Sequence, residues 1–555
     1  KAFRSQTEIA VMNLKLARQT RVLVIDDQVL AKGYLKYSLE ELGFQNIEYA
    51  DRVSTALTYI RRNHYDLIVC SYDLKNEQDG YFLYDQLKEH NELPPSTAFV
   101  FISADTTADI VHSIVELQPD DFLAKPFTVR ELDRRLGRLL TRKQVLKPVY
   151  QFIEQGSLDK ALLELENFLT EPRNSEFFPL ALKLKGELLL ACSHYDEARE
   201  FYQAIINVQN FTWAQLGLIR SFISLDLDEE AEKLVIELAL RQDSMIAAYD
   251  LLAALQIKHK EFEDALESVE VASEISPRNL HRHAKALDLS RLTHDYESQF
   301  EAAKKIVKIA KNSIHDKPEI YLNVARAGID FAMTADEEHT KRLIKQSTEY
   351  LKQLKNSFPK ADIDDQLKVI DARLLYLEDE VDNAKALLDQ LSNDAWETES
   401  IEGLLDKAKA FHEVGFQEHA LNILDLIERR CNNDPAQSNL FLQYVQQEKT
   451  EKAEIRLSPK ELNNSAVNQY QRGDLEKALH TFRQAFTIMP KNPSIALNLL
   501  QAAAINLRET NNEAAKDTLS TQLIHNCLKA IESGRLTEEQ EQRYQRVKKV
   551  LKDLT

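Results

Sequence analysis

From residue 21 to about residue 140 the chain alternates short β-branched runs with amphipathic helical stretches. Residues 21–25, 46–49, 66–70, 98–102 and 121–124 predict strands, because brief apolar runs bounded by polar residues suit strands covered on both faces. Helical stretches such as 53–62, 81–90 and 129–140 separate them, so the pattern predicts right-handed βαβ units and a doubly wound parallel sheet. After residue 140 the two-residue period disappears and helical periodicity runs to the end. The low content of 12 Gly and 14 Pro in 555 residues agrees with long helices, since strand reversals consume both.

In a doubly wound sheet the reactive groups gather beyond the carboxyl ends of the strands. Here those positions hold Asp26 and Asp27, then Ser71, Tyr72 and Asp73, then Ser103, Ala104 and Asp105, and last Lys125, Pro126 and Phe127. Two carboxylates, a hydroxyl and an ammonium at one edge suit a hard cation and a phosphoryl group. In this order and spacing they resemble the receiver domains of bacterial two-component response regulators. The resemblance covers about 120 residues and implies a phosphoryl pocket of Asp26, Asp27, Asp73, Ser103 and Lys125, with Mg²⁺ held by Asp26 and Asp27. Phe122 stands where the family often places a switch aromatic.

One landmark departs from the family. The acceptor position at the end of the third strand holds Ser71, where the family has an aspartate that takes phosphate from a phosphohistidine. A serine hydroxyl needs its own general base and is a poor substitute for a carboxylate, so ordinary phosphotransfer is expected to fail and Mg²⁺ affinity to fall. Asp73, two residues on, offers an alternative acceptor if the strand conformation continues and turns its carboxylate toward Asp27 and Lys125.

The helical part is self-similar. Residues 246–277 carry Tyr249, Leu252, Ala253, Phe262, Ala265, Ala272 and Pro277; residues 459–490 carry Leu462, Ala466, Gly473, Leu475, Ala478, Phe482, Ala485 and Pro490. Both resemble the tetratricopeptide repeat (TPR). A small residue opening the second helix marks units at Ala161, Ala198, Ala231 and Ala265, then Gln299 in a degenerate copy, with steps of 37, 33, 34 and 34. Ala384, Ala420 and Ala478 mark later units. The fold class is therefore an α/β doubly wound, CheY-like receiver followed by an all-α TPR superhelix. Its divisions are a helical extension at 1–20, the receiver at 21–142, repeats at 143–310, an irregular helical segment at 311–360, and repeats with capping helices at 361–555.

Charge and cysteine narrow the function. Lys and Arg number 70 against 89 Asp and Glu, a net charge of −19, so the cation excess of a nucleic-acid binder is missing. Most of the acids read as solvated faces. Cys70, Cys192, Cys431 and Cys527 are too far apart for a metal-ligand spacing and read as buried reduced thiols. His281 and His283 are two apart and do not share a helix face, so they do not read as a metal site. No apolar run is long enough to span a membrane, and the first residues carry no signal-peptide apolar region, so a cytoplasmic location is expected. Residues 6–18, with Ile9, Val11, Met12, Leu14 and Leu16, offer an amphipathic face for packing on the repeats or for pairing two chains as a homodimer.

The order of receiver then repeats resembles the receiver-plus-tetratricopeptide auxiliary regulators of bacteria, of the VieB type. This implies a non-enzymatic regulator of two-component signalling that works by protein contact, with a sensor histidine kinase or phosphorelay component as partner. The alternative is a phosphorylation-competent regulator that uses Asp73, or Ser71 unconventionally, with the repeats as output.

Overall fold

The computed structural model describes residues 12–74, 80–391, 396–434, 438–510, 521–534 and 536–554. Ile9 and Val11 of the amphipathic stretch lie outside them. The chain divides into two compact units, one made of residues up to Arg282 together with Ile309–Asp316, the other of His283–Lys308 and everything from Lys317 onward. This division does not follow the sequence boundary at residue 142: the α/β domain and the first helices belong to the same unit.

The first unit opens with helix α1 (Leu14–Gln19), capped by the Asn13 side chain. Strands β1 (Arg21–Ile25), β2 (Asn46–Ala50), β3 (Leu67–Ser71), β4 (Ala98–Ser103) and β5 (Asp121–Ala124) form an all-parallel sheet in the order β2-β1-β3-β4-β5. Between them run α2 (Val29–Glu41), α3 (Val53–Arg62), α4 (Gly80–Glu89) and α5 (Ala108–Leu117), and α6 (Val129–Val145) follows. Because successive strand residues point to opposite faces, the sheet has two cores. Val22, Val24, Val69 and Ile102 pack with Leu35 and Leu39 of α2 and Leu132 and Leu136 of α6. Leu23, Ile25, Cys70 and Phe101 pack on the other side with α3, α4 and α5.

Helices then follow in pairs: α7 (Lys147–Glu154) with α8 (Leu158–Thr170), α9 (Phe178–Ala191) with α10 (Tyr195–Val208), α11 (Thr212–Ser224) with α12 (Asp228–Ala239), and α13 (Met245–Lys258) with α14 (Phe262–Ile275). The first helices of successive pairs touch, α9 on α11 and α11 on α13, which are the neighbour relations of an all-α superhelix. Between α9 and α11 lies the ring of Tyr202. A Cβ on Gly186 would come within 2.6 Å of ring atoms, and one on Gly217 within 2.2 Å, so only glycine lets the helices close on that ring.

Helix α15 (Leu280–Leu292) starts in the first unit, and the second unit takes up the chain at His283. It continues through α16 (Tyr296–Ala310), α17 (Pro318–Ala332), α18 (Glu337–Ser357), α19 (Asp364–Leu377), α20 (Val381–Leu388), α21 (Ile401–Glu413), α22 (Gln417–Asn433), α23 (Asn439–Glu454), α24 (Pro459–Gln471), α25 (Leu475–Ile488), α26 (Pro493–Thr510), α27 (Thr521–Ser533) and α28 (Glu538–Leu554). The stretch read as irregular, 311–360, holds the α17–α18 pair; at 21 residues α18 is too long to keep the repeat spacing.

The marker residues Ala161, Ala198, Ala231, Ala265, Gln299, Ala384, Ala420 and Ala478 are all buried, each at the fourth position of its helix. The loop before each of these helices has three residues, and its middle one has positive φ: Gly156, Ser193, Asp226, Lys260, His294, Asp379, Gly415 and Gly473. In each loop the third residue's N–H reaches back to a carbonyl five residues earlier, as from Asp474 to Gln469 and from Glu261 to Gln256. These are Schellman closures, which satisfy the last carbonyls of the first helix.

The second unit also buries charge. Arg373 of α19 donates to Asp330 of α17 (2.8 Å) and to Asp406 (2.7 Å) and Glu413 (2.6 Å) of α21. Lys409 adds a bond to Asp330 at 2.6 Å. Burial alone would raise the Asp330 carboxyl, but Lys409 and Arg373 hold it well below the usual range.

Candidate functional site

The site lies along the carboxyl edge of the sheet, where β1, β3, β4 and β5 end side by side. Asp26 follows β1 directly and is almost fully buried. Its carboxylate accepts from Lys125 Nζ at 3.1 Å and from the Gln28 backbone N–H at 2.8 Å. Lys125 is delivered by the end of β5, whose backbone N–H bonds the Ser103 carbonyl at 2.7 Å. Asp27 is half-buried beside Asp26.

Ser71 is the last residue of β3 and is buried. Its hydroxyl donates to the backbone carbonyl of Asp73 at 3.2 Å. The strand stops at Ser71, and the Asp73 side chain is exposed, so the structure turns the carbonyl of Asp73, not its carboxylate, toward Ser71. Ser103, buried at the end of β4, accepts from the Asp105 N–H at 3.0 Å. Phe122 is half-buried against the core formed with α3, α4 and α5. Asp26 and Lys125 are thus joined directly, while Ser71 and Ser103 stand at neighbouring strand ends.

Two features carry no motif in the sequence. Tyr34 of α2 donates to the Phe127 carbonyl at 2.9 Å, and its ring packs on Phe127 with centroids 5.6 Å apart, which ties α2 to the loop bearing Lys125. Along the same helix Val29, Leu30, Tyr34 and Tyr37 are exposed, an apolar strip beside the pocket. An i, i+4, i+7 relation among Leu30, Tyr34 and Tyr37 was the available signal.

For a divalent cation the available donors are the carboxylates of Asp26 and Asp27 and the carbonyl of Asp73, all oxygen and therefore of the right kind for Mg²⁺. Ser71 contributes a neutral hydroxyl where a third carboxylate would strengthen the set. Among the described residues no three His, Cys, Asp or Glu side chains converge as a metal cluster. Cys70, Cys431 and Cys527 are buried and Cys192 is half-buried; none forms a disulfide.

Comparison with known proteins bears on the α/β domain. The family described as response regulator receiver domain matches residues 22–137. Those residues form a response regulator receiver domain. The receiver is 29% identical over 126 residues to the probable transcriptional regulator ycf27 of Cyanophora paradoxa, a match covering 22% of this chain and 49% of that protein. It is 24% identical over 131 residues to the chemotaxis protein CheY-3 of Vibrio cholerae, covering 24% of this chain and 99% of the relative. Thus the chain spans about half the length of the ycf27 regulator and nearly all of CheY-3. Among solved structures, the receiver domain of a histidine kinase from Syntrophus aciditrophicus is 27% identical, with a TM-score of 0.21, covering 22% of this chain and 90% of its own. The receiver domain of Francisella response regulator 1452 is 31% identical, with a TM-score of 0.20, covering 22% and 98%.

Proposed function

We propose that the protein is a non-enzymatic regulator of two-component signalling whose receiver does not take phosphate and which acts by protein contact. The observation that carries this reading is Ser71: it occupies the acceptor position at the end of β3, and its hydroxyl donates its hydrogen to the Asp73 carbonyl at 3.2 Å rather than to a carboxylate. Without an adjacent base a hydroxyl is a weak nucleophile. Asp26, Lys125 and Ser103 remain in place, so the pocket keeps its shape without its acceptor. Mg²⁺ would be held by Asp26 and Asp27, weakly for want of the third carboxylate, and when bound it would neutralise phosphoryl oxygens.

The contact surfaces are the exposed strip of Val29, Leu30, Tyr34 and Tyr37 beside the pocket, and the helical array. The spacing of its buried markers and its repeated loops support a TPR-type module, of the kind that binds peptides or protein surfaces. A sensor histidine kinase or phosphorelay component, restrained or redirected by binding, is the partner this arrangement suits, as in VieB-type regulators. The net charge of −19 favours a protein partner over nucleic acid. Among the described residues no helix is long and apolar enough to cross a membrane, and a cytoplasmic setting fits such a partner.

A second reading has Asp73 as acceptor, and its exposed side chain favours access by a donor. Intact-mass measurement with Mg²⁺ and acetyl phosphate separates the two. A phosphoryl gain by Ser71→Asp but not by the unsubstituted chain supports the inactive receiver. A gain by the unsubstituted chain that Asp73→Ala abolishes refutes it.

A further inference from the structure

Behind the phosphoryl pocket, α4 and α5 receive the segment that links α14 to α15. Glu116 of α5 is the centre of the contact. Its carboxylate accepts from Ser276 Oγ at 2.6 Å, from Arg282 Nη2 at 2.8 Å and from the Asn279 amide. Arg282 is buried and is itself fixed by the array: it bonds Asp250 of α13 at 2.7 and 2.9 Å and the Ser276 carbonyl at 3.2 Å. The Arg282 donor is therefore fixed by bonds that do not involve Glu116, and its charge strengthens the hydrogen bond to the carboxylate.

The same segment touches the loop that follows the acceptor position. The Arg278 guanidinium lies 5.2 Å from the ring centre of Tyr72 and 5.9 Å from that of Tyr81, within cation–π range. Tyr72 is the residue after Ser71. It is fully buried, its N–H bonds the Ile102 carbonyl at 2.8 Å, and its own carbonyl accepts from the Gly80 N–H at 3.0 Å. Its ring meets Tyr81 and Phe101 edge-on, with centroids 6.3 and 5.4 Å apart. In such close packing the backbone at 71–74 cannot shift without moving the Tyr72 ring and with it the seat of Arg278.

We propose that residues 276–282 are a built-in clasp, an intramolecular ligand of the α4–α5 face whose seating is coupled through Tyr72 to the state of the Ser71 loop. The coupling is reciprocal: whatever reshapes the loop loosens the clasp, and whatever pulls the clasp away frees the loop. Because Arg282 of the clasp is also bonded to Asp250 of α13, its seating is the point where a change at the receiver reaches the helices of the same unit. A partner that captures the helical array by way of this segment would in turn alter the receiver. Since the pocket reading above gives the receiver no phosphoryl signal of its own, a partner that moves the segment is the source of the change on that reading; the clasp itself does not rest on it.

Hydrogen exchange of the full chain, read by mass spectrometry, tests the coupling. Glu116→Gln keeps the shape and removes the charge, and Ser276→Ala weakens the same contact from the other side. Each is expected to speed exchange at least tenfold both in peptides covering 276–282 and in peptides containing Tyr72 and Tyr81, while the thermal transition is retained. Acceleration confined to 276–282, or absent from both regions, overturns the proposal. Ser71→Asp with Mg²⁺ and beryllofluoride separates the two readings. If the variant binds beryllofluoride and exchange in 276–282 does not change, the coupling is refuted. If it does not bind, the pocket reading fails, and the Glu116→Gln comparison alone decides the clasp.

Discussion

Replacing Arg373 by Met removes the cation shared by three helices of the second unit. The guanidinium is 1% exposed and serves Asp330, Asp406 and Glu413, none of which is more than 6% exposed. Two of these keep other cations: Lys409 remains 2.6 Å from Asp330, and Arg326 Nε lies 3.5 Å from Asp406. Glu413 loses its only direct ion pair among the described residues. Breaking a buried pair from one side costs about 3–5 kcal/mol, because the orphaned charge stays buried. With one orphan of three, we expect about 4 kcal/mol at pH 7. Burial already holds the Glu413 carboxyl above its usual range in spite of Arg373. Without Arg373 it rises further, so protonation in the folded state relieves the cost as pH falls, by about 1.4 kcal/mol per pH unit within that window. Urea unfolding followed by circular dichroism at pH 7 and pH 5 should therefore show a deficit that narrows on acidification. Adding Glu413→Gln should recover part of it at pH 7. A deficit below about 1 kcal/mol, or one equal at both pH values, refutes the assignment of Arg373 as the main compensating charge.

Further outcomes follow from particular residues. His412 is buried and donates to the Ile455 carbonyl at 2.7 Å, and burial pushes its imidazole down from 6.5 to about 4. The unfolded chain then binds the proton more readily, so stability is complete above pH 6.5 and declines as pH falls toward 4, by up to about 3 kcal/mol; His412→Gln should flatten that part of a stability–pH curve. Gly473→Ala meets no atom within 4 Å but must adopt a φ near +84°, so a loss of about 1 kcal/mol in urea unfolding is expected from backbone strain alone. The array loop closed by Lys260 bears the same strain natively, so Lys260→Gly should be close to neutral, within about 0.5 kcal/mol.

The sheet was legible because β1, β3 and β4 are nearly continuous apolar runs, and β2, interrupted by Glu48, still alternates between them and the helices. All but β3 begin where the pattern places them, and β2, β3 and β4 each end one residue later because Ala50, Ser71 and Ser103 keep pairing. Helix α2 was less legible, since it buries only Leu35, Ser38 and Leu39 and leaves Val29 and Leu30 in the open. The pocket residues could be named from strand ends alone, but the orientation of Asp73 could not: whether a carbonyl or a carboxylate faces Ser71 depends on where β3 stops. The clasp left no local trace, because Glu116 and its donors are some 160 residues apart. Reading the acids as solvated faces suits most of them and fails at Asp330, Asp406 and Glu413, whose partner lies on another helix pair. The marker residues were legible as core positions, since each stands buried at the fourth position of its helix.

The ring of Tyr202 between Gly186 and Gly217 bears on which substitutions this part of the chain tolerates. A methyl group at either glycine is blocked while the tyrosine stands, and a smaller side chain at 202 leaves a void while both glycines stand. The three positions are therefore coupled, and the effects of substituting them should not add. A glycine can gain a side chain here only once position 202 has shrunk, and that first step leaves a destabilising void until a neighbour fills it.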